Sequence, residues 1–493
     1  MRRSWVAALV LVACQTTPVA KPEPKPAGAP DATLVISAEL RGYLGPCGCS
    51  ENMRGGIARA AAQLSKVRSE GQPVFFVDSG EALFGAARIP DDAVPQQEKK
   101  AKALAAALVA MKLDVRQPGP LDDVRGTDFR KQQALPELEG GVRVLERGGF
   151  KLGVVSGASA GELAERAARA RRDGARFVVG LFEGALDAAI PQAPKSGVDL
   201  LVAARAKDEV AGEQSRLLRG EVPVAQLQSK GRSMLRVDLW HGAGDRPQLF
   251  AGAADRERAL AALDERIEML RAQTNDPGLA PELKALRQEK LVELESRRAA
   301  QASEPLETPQ GQWGFATRFL PLESSFPEEA GVKAIVDAYD REVGELNLAL
   351  AKKTNKECPV PGKNQQGFVG NAACLDCHKE AFPVWQASKH AHGLETLVKV
   401  NKQYHLDCIG CHVTGWQAVG GVCRIDKTAG REGVGCESCH GPGAVHAEDP
   451  TVKNIAKGNE PKVCVGCHDR ENSPHFEYEK YVVQILGKGH GRE

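Results

Sequence analysis

The sequence predicts two architectures in one chain: a layered α/β domain at the front and a mainly helical, loop-rich domain at the back, organised around cysteine and histidine. Three observations predict this. Short apolar runs alternate with Ala-rich stretches of helical period from residue 31 to about residue 250. Ten of the 13 cysteines lie between Cys358 and Cys467, and ten of the 11 histidines lie from His378 onward. The length, 493 residues, exceeds one typical core, so two or three domains are expected. Lys plus Arg number 65 against 64 Asp plus Glu, a formal net charge of +1, which argues against a nucleic-acid surface running along the chain. Hydrophobic residues at 42% and charged residues at 26% exclude a fully disordered chain.

The chain opens with an export signal. Arg2 and Arg3 precede an apolar run from Trp5 to Ala13, too short to remain as a membrane-spanning helix. The run ends Leu11-Val12-Ala13-Cys14, which resembles a bacterial lipoprotein box. That resemblance implies cleavage after residue 13 and a lipid on Cys14. Residues 14–30 then form the lipid anchor and a Pro-rich tether. The expected location is outside the cytoplasm, on the cell envelope, facing the periplasm from the outer membrane.

The front domain is expected over 31–355. Residues 33–37, 74–78, 151–156, 176–182 and 198–204 read as short buried strands, and 57–69, 97–112 and 160–172 as helices between them. Residues 254–273 and 280–302 read as an antiparallel helical hairpin broken at Asn275-Asp276-Pro277-Gly278. A flank-packed pair and a partner-binding arm fit its charged faces equally. A further helix is expected at 327–353, then a linker at 356–367.

The last domain, 368–493, carries Cys374-Leu-Asp-Cys377-His378, Cys408-Ile-Gly-Cys411-His412, Cys436-Glu-Ser-Cys439-His440 and Cys464-Val-Gly-Cys467-His468. C-x-x-C-H is the attachment pattern of c-type haem. Two thiols at this spacing reach the two vinyl groups of one porphyrin, and the adjacent histidine becomes the proximal iron ligand. Zinc sites use paired cysteines too, but do not require a histidine after every pair. Four covalently bound haem c groups are therefore expected. The last methionine is Met269, so Met/His ligation is unavailable within this domain, and mainly bis-His haems of low potential follow. Six other histidines remain: His390, His392, His405, His446, His475 and His490. At least two of them are bystanders if each iron takes one.

Sequence around the motifs resembles the tetrahaem cytochrome c-554 family over about 368–470. Motif one continues as CLDCHKEAFPVWQASKHAHGLETL, similar to the family's W-x-x-x-x-H-A segment, whose histidine is a distal ligand and matches His390 here. DCIGCHVTGWQAVGG and GVGCESCHGPG around motifs two and three are also similar, and the distal histidine that follows CHGPG points to His446. The resemblance implies closely packed haems and one haem, at the second motif, without a sixth protein ligand. His405 precedes that motif and is a candidate to fill or flank the position. His475 and His490 lie in a tail that departs from the family and are candidates to cap a haem by folding back. The distal set taken forward is His390, His446, His405 and His475.

Residues 31–120 resemble the start of 5'-nucleotidase-type metallophosphoesterases. Gly55-Gly56-Ile57-Ala58-Arg59-Ala60 is similar to their G-G-L-A-R segment, and Val77-Asp78-Ser79-Gly80-Glu81 to their D-x-G-D strand end. Their D-x-H after the first strand reads Ser37-Ala38-Glu39, and their N-H-E or N-H-D reads Gly119-Pro120-Leu121-Asp122. The lone His241 does not replace the missing ligands, so phosphoester hydrolysis is not expected. Asp78 and Glu81 read as a strand-end turn and a helix start. Cys47 and Cys49 form a C-x-C pair suited to a disulfide, a redox couple or half a metal site. Cys358 and Cys423 pair with each other or with these two.

The functional expectation is an envelope-anchored electron carrier working with redox partner proteins of the envelope, attached to the membrane by lipid and binding no nucleic acid. The alternative is a haem oxidoreductase acting on a small nitrogen or sulfur compound at an open iron.

Overall fold

The computed structural model describes residues 29–46, 53–206, 214–274, 281–303, 312–451, 453–469, 472–473 and 476–492. Two compact units emerge. One contains residues 31–239 together with 317–493, and the other contains 240–316.

In the larger unit, strand β1 (Ala32–Ser37) is followed by helix α1 (Ile57–Arg68), β2 (Val74–Asp78), α2 (Val94–Ala110) and β3 (Val115–Arg116). β1 pairs parallel with β2 and β2 with β3, which requires a crossover between strands, and α1 and α2 supply the crossovers. β1 and β2 are buried along their whole length, as parallel strands covered on both faces must be. The second sheet holds β4 (Val142–Arg147), β5 (Phe150–Gly157), β6 (Phe177–Ala185), β7 (Leu200–Arg205), β8 (Arg216–Leu218) and β9 (Val224–Gln226) in the order β4-β5-β6-β7-β9-β8, with β5, β6 and β7 parallel at its centre. Helix α3 (Ala160–Arg172) begins at Ser159, whose hydroxyl accepts from Glu162 N. Its Leu163, Ala167 and Ala170 pack on Val155 and Val178. These strands and helices sit within three residues of their expected bounds, and the α/β layering is the one the alternation predicted.

Two readings need correction. Glu81 does not start a helix: residues 79–93 run irregularly, and α2 begins at Val94. The Glu81 carboxylate instead accepts from Leu121 N, tying the loop after β2 to the turn at 119–122. A strand at Ser233–Trp240, β10, pairs antiparallel with β1 and had no strand signature. Its charged Arg236 and Asp238 break the apolar pattern, yet both are nearly buried because they bond each other and Arg236 also bonds Glu70.

Helix α6 (Ala330–Thr354) closes the first core. Glu329 caps it by accepting from Val332 N, and Asn355, in the left-handed region at φ 49°, ends it. Tyr339 and Val343 of this helix pack with Leu64, Leu104, Leu108 and Phe76. The smaller unit holds β11 (Ala243–Leu249), the start of β12 (Gln312–Pro321), and helices α4 (Ala251–Thr274) and α5 (Pro281–Ser303). The helices form the expected antiparallel hairpin, fastened by Arg271–Glu295 and Arg298–Asp264. No helix among the described residues is long and apolar enough to cross a membrane.

From residue 368 on, only Leu397, Ile409, Val413, Val422, Ile425 and Ala444 are buried apolar side chains among the described residues. That is too small a core for this region to order itself by burial alone. Hydrogen bonds and one disulfide supply part of the remainder. Buried Glu437 accepts from Val369 N, Gly370 N and Gly443 N, and Cys358–Cys423 links the segment after α6 to the loop between motifs two and three.

Below β2, Arg116 is fully buried between two buried carboxylates, with Nη2 at 2.6 Å from Asp122 and Nε at 3.8 Å from Asp78. Replacing Arg116 by Met leaves two buried carboxylates without their counter-charge, so the protein should lose about 3–5 kcal/mol of stability. The urea midpoint of the far-UV circular dichroism transition measures this; an unchanged midpoint would mean that the pair is not structurally required.

Candidate functional site

All eight motif cysteines and all four motif histidines line one cavity of about 2030 Å³. A pocket for one drug-sized ligand is about 300–1,000 Å³, so this space accommodates several large planar groups. The motifs reach it from short helices. Leu406–His412 (α7) carries motif two and Cys436–His440 carries motif three. One turn of helix places the two cysteines and the following histidine on adjoining faces.

Three pairs of imidazoles face one another in this cavity. Ring centroids are 6.4 Å apart for His378 and His446, 6.1 Å for His390 and His468, and 6.2 Å for His440 and His490. A histidine nitrogen sits about 2.0 Å from a metal it binds. Adding the ring on each side puts two axial imidazoles about 6 Å apart by centroid, the spacing found in all three pairs.

The opposite ring nitrogens decide which nitrogen is free to bind. A carbonyl oxygen can only accept, so a neutral histidine whose Nδ1 meets a carbonyl carries its proton there and keeps Nε2 as a lone pair. Nδ1 of His412 lies 2.7 Å from Gly393 O, that of His440 2.9 Å from Ala456 O, that of His446 3.1 Å from Thr451 O, and that of His490 2.6 Å from Ile485 O. His468 Nδ1 meets Ser473 Oγ at 3.0 Å. Such outer partners orient a ligating imidazole and raise its basicity. His390 is held by its backbone: Val434 N donates to His390 O at 2.9 Å, and a Cβ on Gly433 would stand 2.6 Å from that oxygen. Burial lowers the His390 pKa, and His468 adds to the effect, which favours the neutral ring that ligation requires.

The expected distal residues divide accordingly. His390 and His446 each stand opposite a motif histidine, of motif four and motif one respectively. His405 does not. Its ring is nearly buried, edge-on to Tyr339, with Nε2 donating to Asp340 O at 3.1 Å, and it does not line the cavity. His405 instead sits where α6 meets the N-terminus of α7, and burial lowers its pKa. His490 is opposed to His440, a pairing that no residue pattern near motif three signalled, because the partner comes from the far end of the tail. His392 uses both nitrogens, on Glu395 and on Gln386 O. No histidine among the described residues faces His412. His475, Cys14, Cys47 and Cys49 lie outside the described residues.

Thiol proximity sets the order of the motifs in space. Cys374 is within hydrogen-bonding reach of Cys436, Cys411 of Cys467, and Cys439 lies close to Cys464. The sequence of neighbours is one, three, four, two.

The front α/β layer contributes a wall. Arg41, Tyr43, Phe84, Arg88, Lys100 and Lys230 line the same cavity. Motif two is fastened to α2: Gln96 Oε1 accepts from Leu406 N, Gln97 Nε2 donates to Asp407 Oδ1 at 2.8 Å, and Lys100 Nζ is 3.0 Å from Asp407 Oδ2. Asn347 of α6 donates to both Gln96 Oε1 and Tyr404 O. At the strand ends that resemble a phosphoesterase site, Asp78 accepts from Ser37 and Gly80 N, and Asp122 from Gly119 N, Glu81 N, Ala82 N and Leu83 N. Burial pushes the Asp78 carboxyl up to about 6 against the pull of Arg116 and Ser37. These acids are engaged by the protein itself.

Comparison with known proteins agrees with this layout. Residues 373–441 match the family model for cytochrome c554 and c-prime, and residues 429–473 match a doubled CXXCH motif. Cytochrome c-554 of Nitrosomonas europaea is 37% identical over 91 residues, covering 15% of this chain and 39% of that protein. The chain thus spans well under half the length of that relative. Similar solved structures include the sulfate thiohydrolase SoxB of Thermus thermophilus in complex with glycerol, at 14% identity over 64% of this chain and 61% of that one, TM-score 0.41. A 5'-nucleotidase precursor from Thermus thermophilus is 12% identical, covering 82% of this chain and 72% of that one, TM-score 0.41. The C-terminal region carries a cytochrome c554-type domain with paired CXXCH motifs that bind haem c covalently, and the structural neighbours of the chain are of the 5'-nucleotidase type.

The ring assignments separate two histidine variants. His490→Ala should convert one low-spin haem to high-spin in the EPR spectrum, whereas His405→Gln should leave every low-spin signal in place and lower only the thermal midpoint. A spin change in His405→Gln would reassign that residue as a ligand.

Proposed function

We propose that this multihaem c-type cytochrome carries electrons at the cell envelope through four haems, three held between two histidines and one, at motif two, open at its sixth position. The observation that carries the reading is the set of three opposed imidazole pairs, with His412 left unopposed among the described residues. When bound, each haem supplies a reversible one-electron iron couple. The chain's own residues do the rest. Paired imidazoles close an iron to other ligands and, in place of Met/His ligation, favour a low potential. Nδ1–H donors hold the rings in register. The neighbour order one, three, four, two offers a continuous path that begins at motif one and ends at the open position. The basic start, apolar run and Cys14 support export and a lipid anchor, which would place redox partner proteins of the envelope within reach.

The unopposed His412 also favours the second reading, reduction or oxidation of a small nitrogen or sulfur compound at the motif-two iron. Electrons arriving along the other three haems would serve it.

Pyridine haemochrome quantification and EPR of the oxidised protein test both together. Four haems are expected, three low-spin and one high-spin, with nitric oxide perturbing only the high-spin component. Four low-spin haems would overturn the open position. If His475→Ala then made one of them high-spin, that residue would be the sixth ligand, and the protein would be a pure carrier.

A further inference from the structure

The first residue between the two cysteines of each motif is Leu375, Ile409, Glu437 and Val465 in motifs one to four. Motif three alone carries a charge there. Glu437 is 3% exposed, yet it lines the haem cavity. Its carboxylate accepts from three backbone donors: Val369 N at 2.9 Å and Gly443 N at 2.8 Å on Oε1, and Gly370 N at 2.7 Å on Oε2. Bonds of this kind favour the ionised form. Among the described residues no lysine, arginine or histidine is ion-paired to it. Arg431 packs on Gly370 but gives its N–H groups to the carbonyl oxygens of Phe368, Gly420 and Gly430. Glu437 is thus a desolvated negative charge balanced by peptide N–H groups rather than by a cation.

The charge sits between two attachment points. Glu437 directly follows Cys436 of motif three. Gly370, whose N–H it accepts, takes the Cys374 thiol of motif one on its carbonyl, with Sγ 3.9 Å from the oxygen. The Cys374 and Cys436 thiols are within hydrogen-bonding reach of each other, and Asn371 Oδ1 accepts from Cys436 N. The acids beside the other motifs are placed differently. Asp376 of motif one is exposed, Asp407 before motif two is paired with Lys100, and Asp469 after motif four is partly exposed and bonded to Asn472. Solvent or a countercharge weakens the field of each.

Reduction of a haem iron removes one positive charge from it, so a fixed negative charge nearby stabilises the oxidised form and lowers the potential. We propose that Glu437 lowers the reduction potentials of the two haems attached at motifs one and three, as a single buried charge shared between them. The inference rests on the four-haem reading above and on the pairing of His378 with His446 and of His440 with His490. It makes motif three a tuning element as well as an attachment point, since the residue between its cysteines acts on two haems at once.

The test is an EPR-monitored redox titration of the full-length, haem-loaded protein. His446→Ala and His490→Ala each remove one low-spin signal and so mark the haems of motifs one and three. Glu437→Gln should raise both marked potentials by about tenfold in the reduction equilibrium, or about 59 mV, as for a buried unit charge roughly 10 Å away, and should move the haems of motifs two and four by less. Glu437→Asp keeps the charge while shortening its reach, and should keep both potentials low. An equal shift of all four haems in Glu437→Gln, or no shift, would overturn the proposal. So would equal shifts in the two variants, since hydrogen-bond geometry rather than charge would then set the potentials. In Glu437→Gln an amide nitrogen replaces an oxygen that accepts from a backbone N–H. Where that change prevents full haem loading, Glu437→Asp decides: unchanged potentials at motifs one and three support the proposal, and a rise of about tenfold overturns it. Unchanged spin states in His446→Ala and His490→Ala would refute the pairing itself, and the charge effect would then be read from whether Glu437→Gln shifts two haems rather than four.

Discussion

An imidazole has two nitrogens, and a carbonyl oxygen beside one of them dictates what the other can do. The C-terminal region is ordered by that constraint. Four of its histidines present Nδ1 to a backbone carbonyl and so keep Nε2 as a lone pair, while His405 gives its Nε2–H to Asp340 O and lies outside the cavity lining. The carbonyls come from Gly393, Thr451 and Ala456, and Ile485, on three separate segments. Ring orientation, tautomer and chain path are thus the same fact seen three ways. Each opposed pair also joins distant parts of the chain: His446 returns to motif one, His390 reaches forward to motif four, and His490 brings the tail back to motif three.

These opposed rings and their hydrogen bonds stand beside a very small apolar core. The region from 368 onward buries few apolar side chains, and the space between its short helices is the cavity itself. Haem faces filling that space would supply the missing contacts, so folding and cofactor attachment are bound together here, as metal binding and folding are in small metal domains. The part that does have its own core, around Ile409, Val413, Val422 and Ile425, is also the part docked on α2 and α6. Motif two is therefore the most firmly anchored of the four.

The front layer meets that motif with polar bonds rather than apolar area. Gln96, Asn347 and Asp407 form a small buried and half-buried network that sets register, because each amide group there has a definite donor and acceptor end. Deeper in, Arg116 is enclosed by Asp78 and Asp122. A strand end that elsewhere resembles a metal-binding turn is here closed by an internal ion pair.

Much of this was legible in the sequence. The period of apolar residues located β1, β2, α1 and α3, because buried strands and amphipathic helices impose that period directly. C-x-x-C-H located the four motifs whose cysteines and histidines line one cavity, because that spacing is local in the chain. What lay beyond sequence was everything that depends on two segments meeting. β10 escaped notice because Arg236 and Asp238 are tolerable in a buried strand only once Glu70 arrives from α1's far end. Cys358 and Cys423 were among several pairings, and only their approach in space selects one. His405 and His490 illustrate the division most directly. By sequence the first was the better distal ligand, adjacent to a motif, and the second was a tail residue. The tertiary structure sets His490 opposite His440 in the cavity and turns His405 away from it towards Asp340 O, because both placements depend on segments that meet only after the chain has folded.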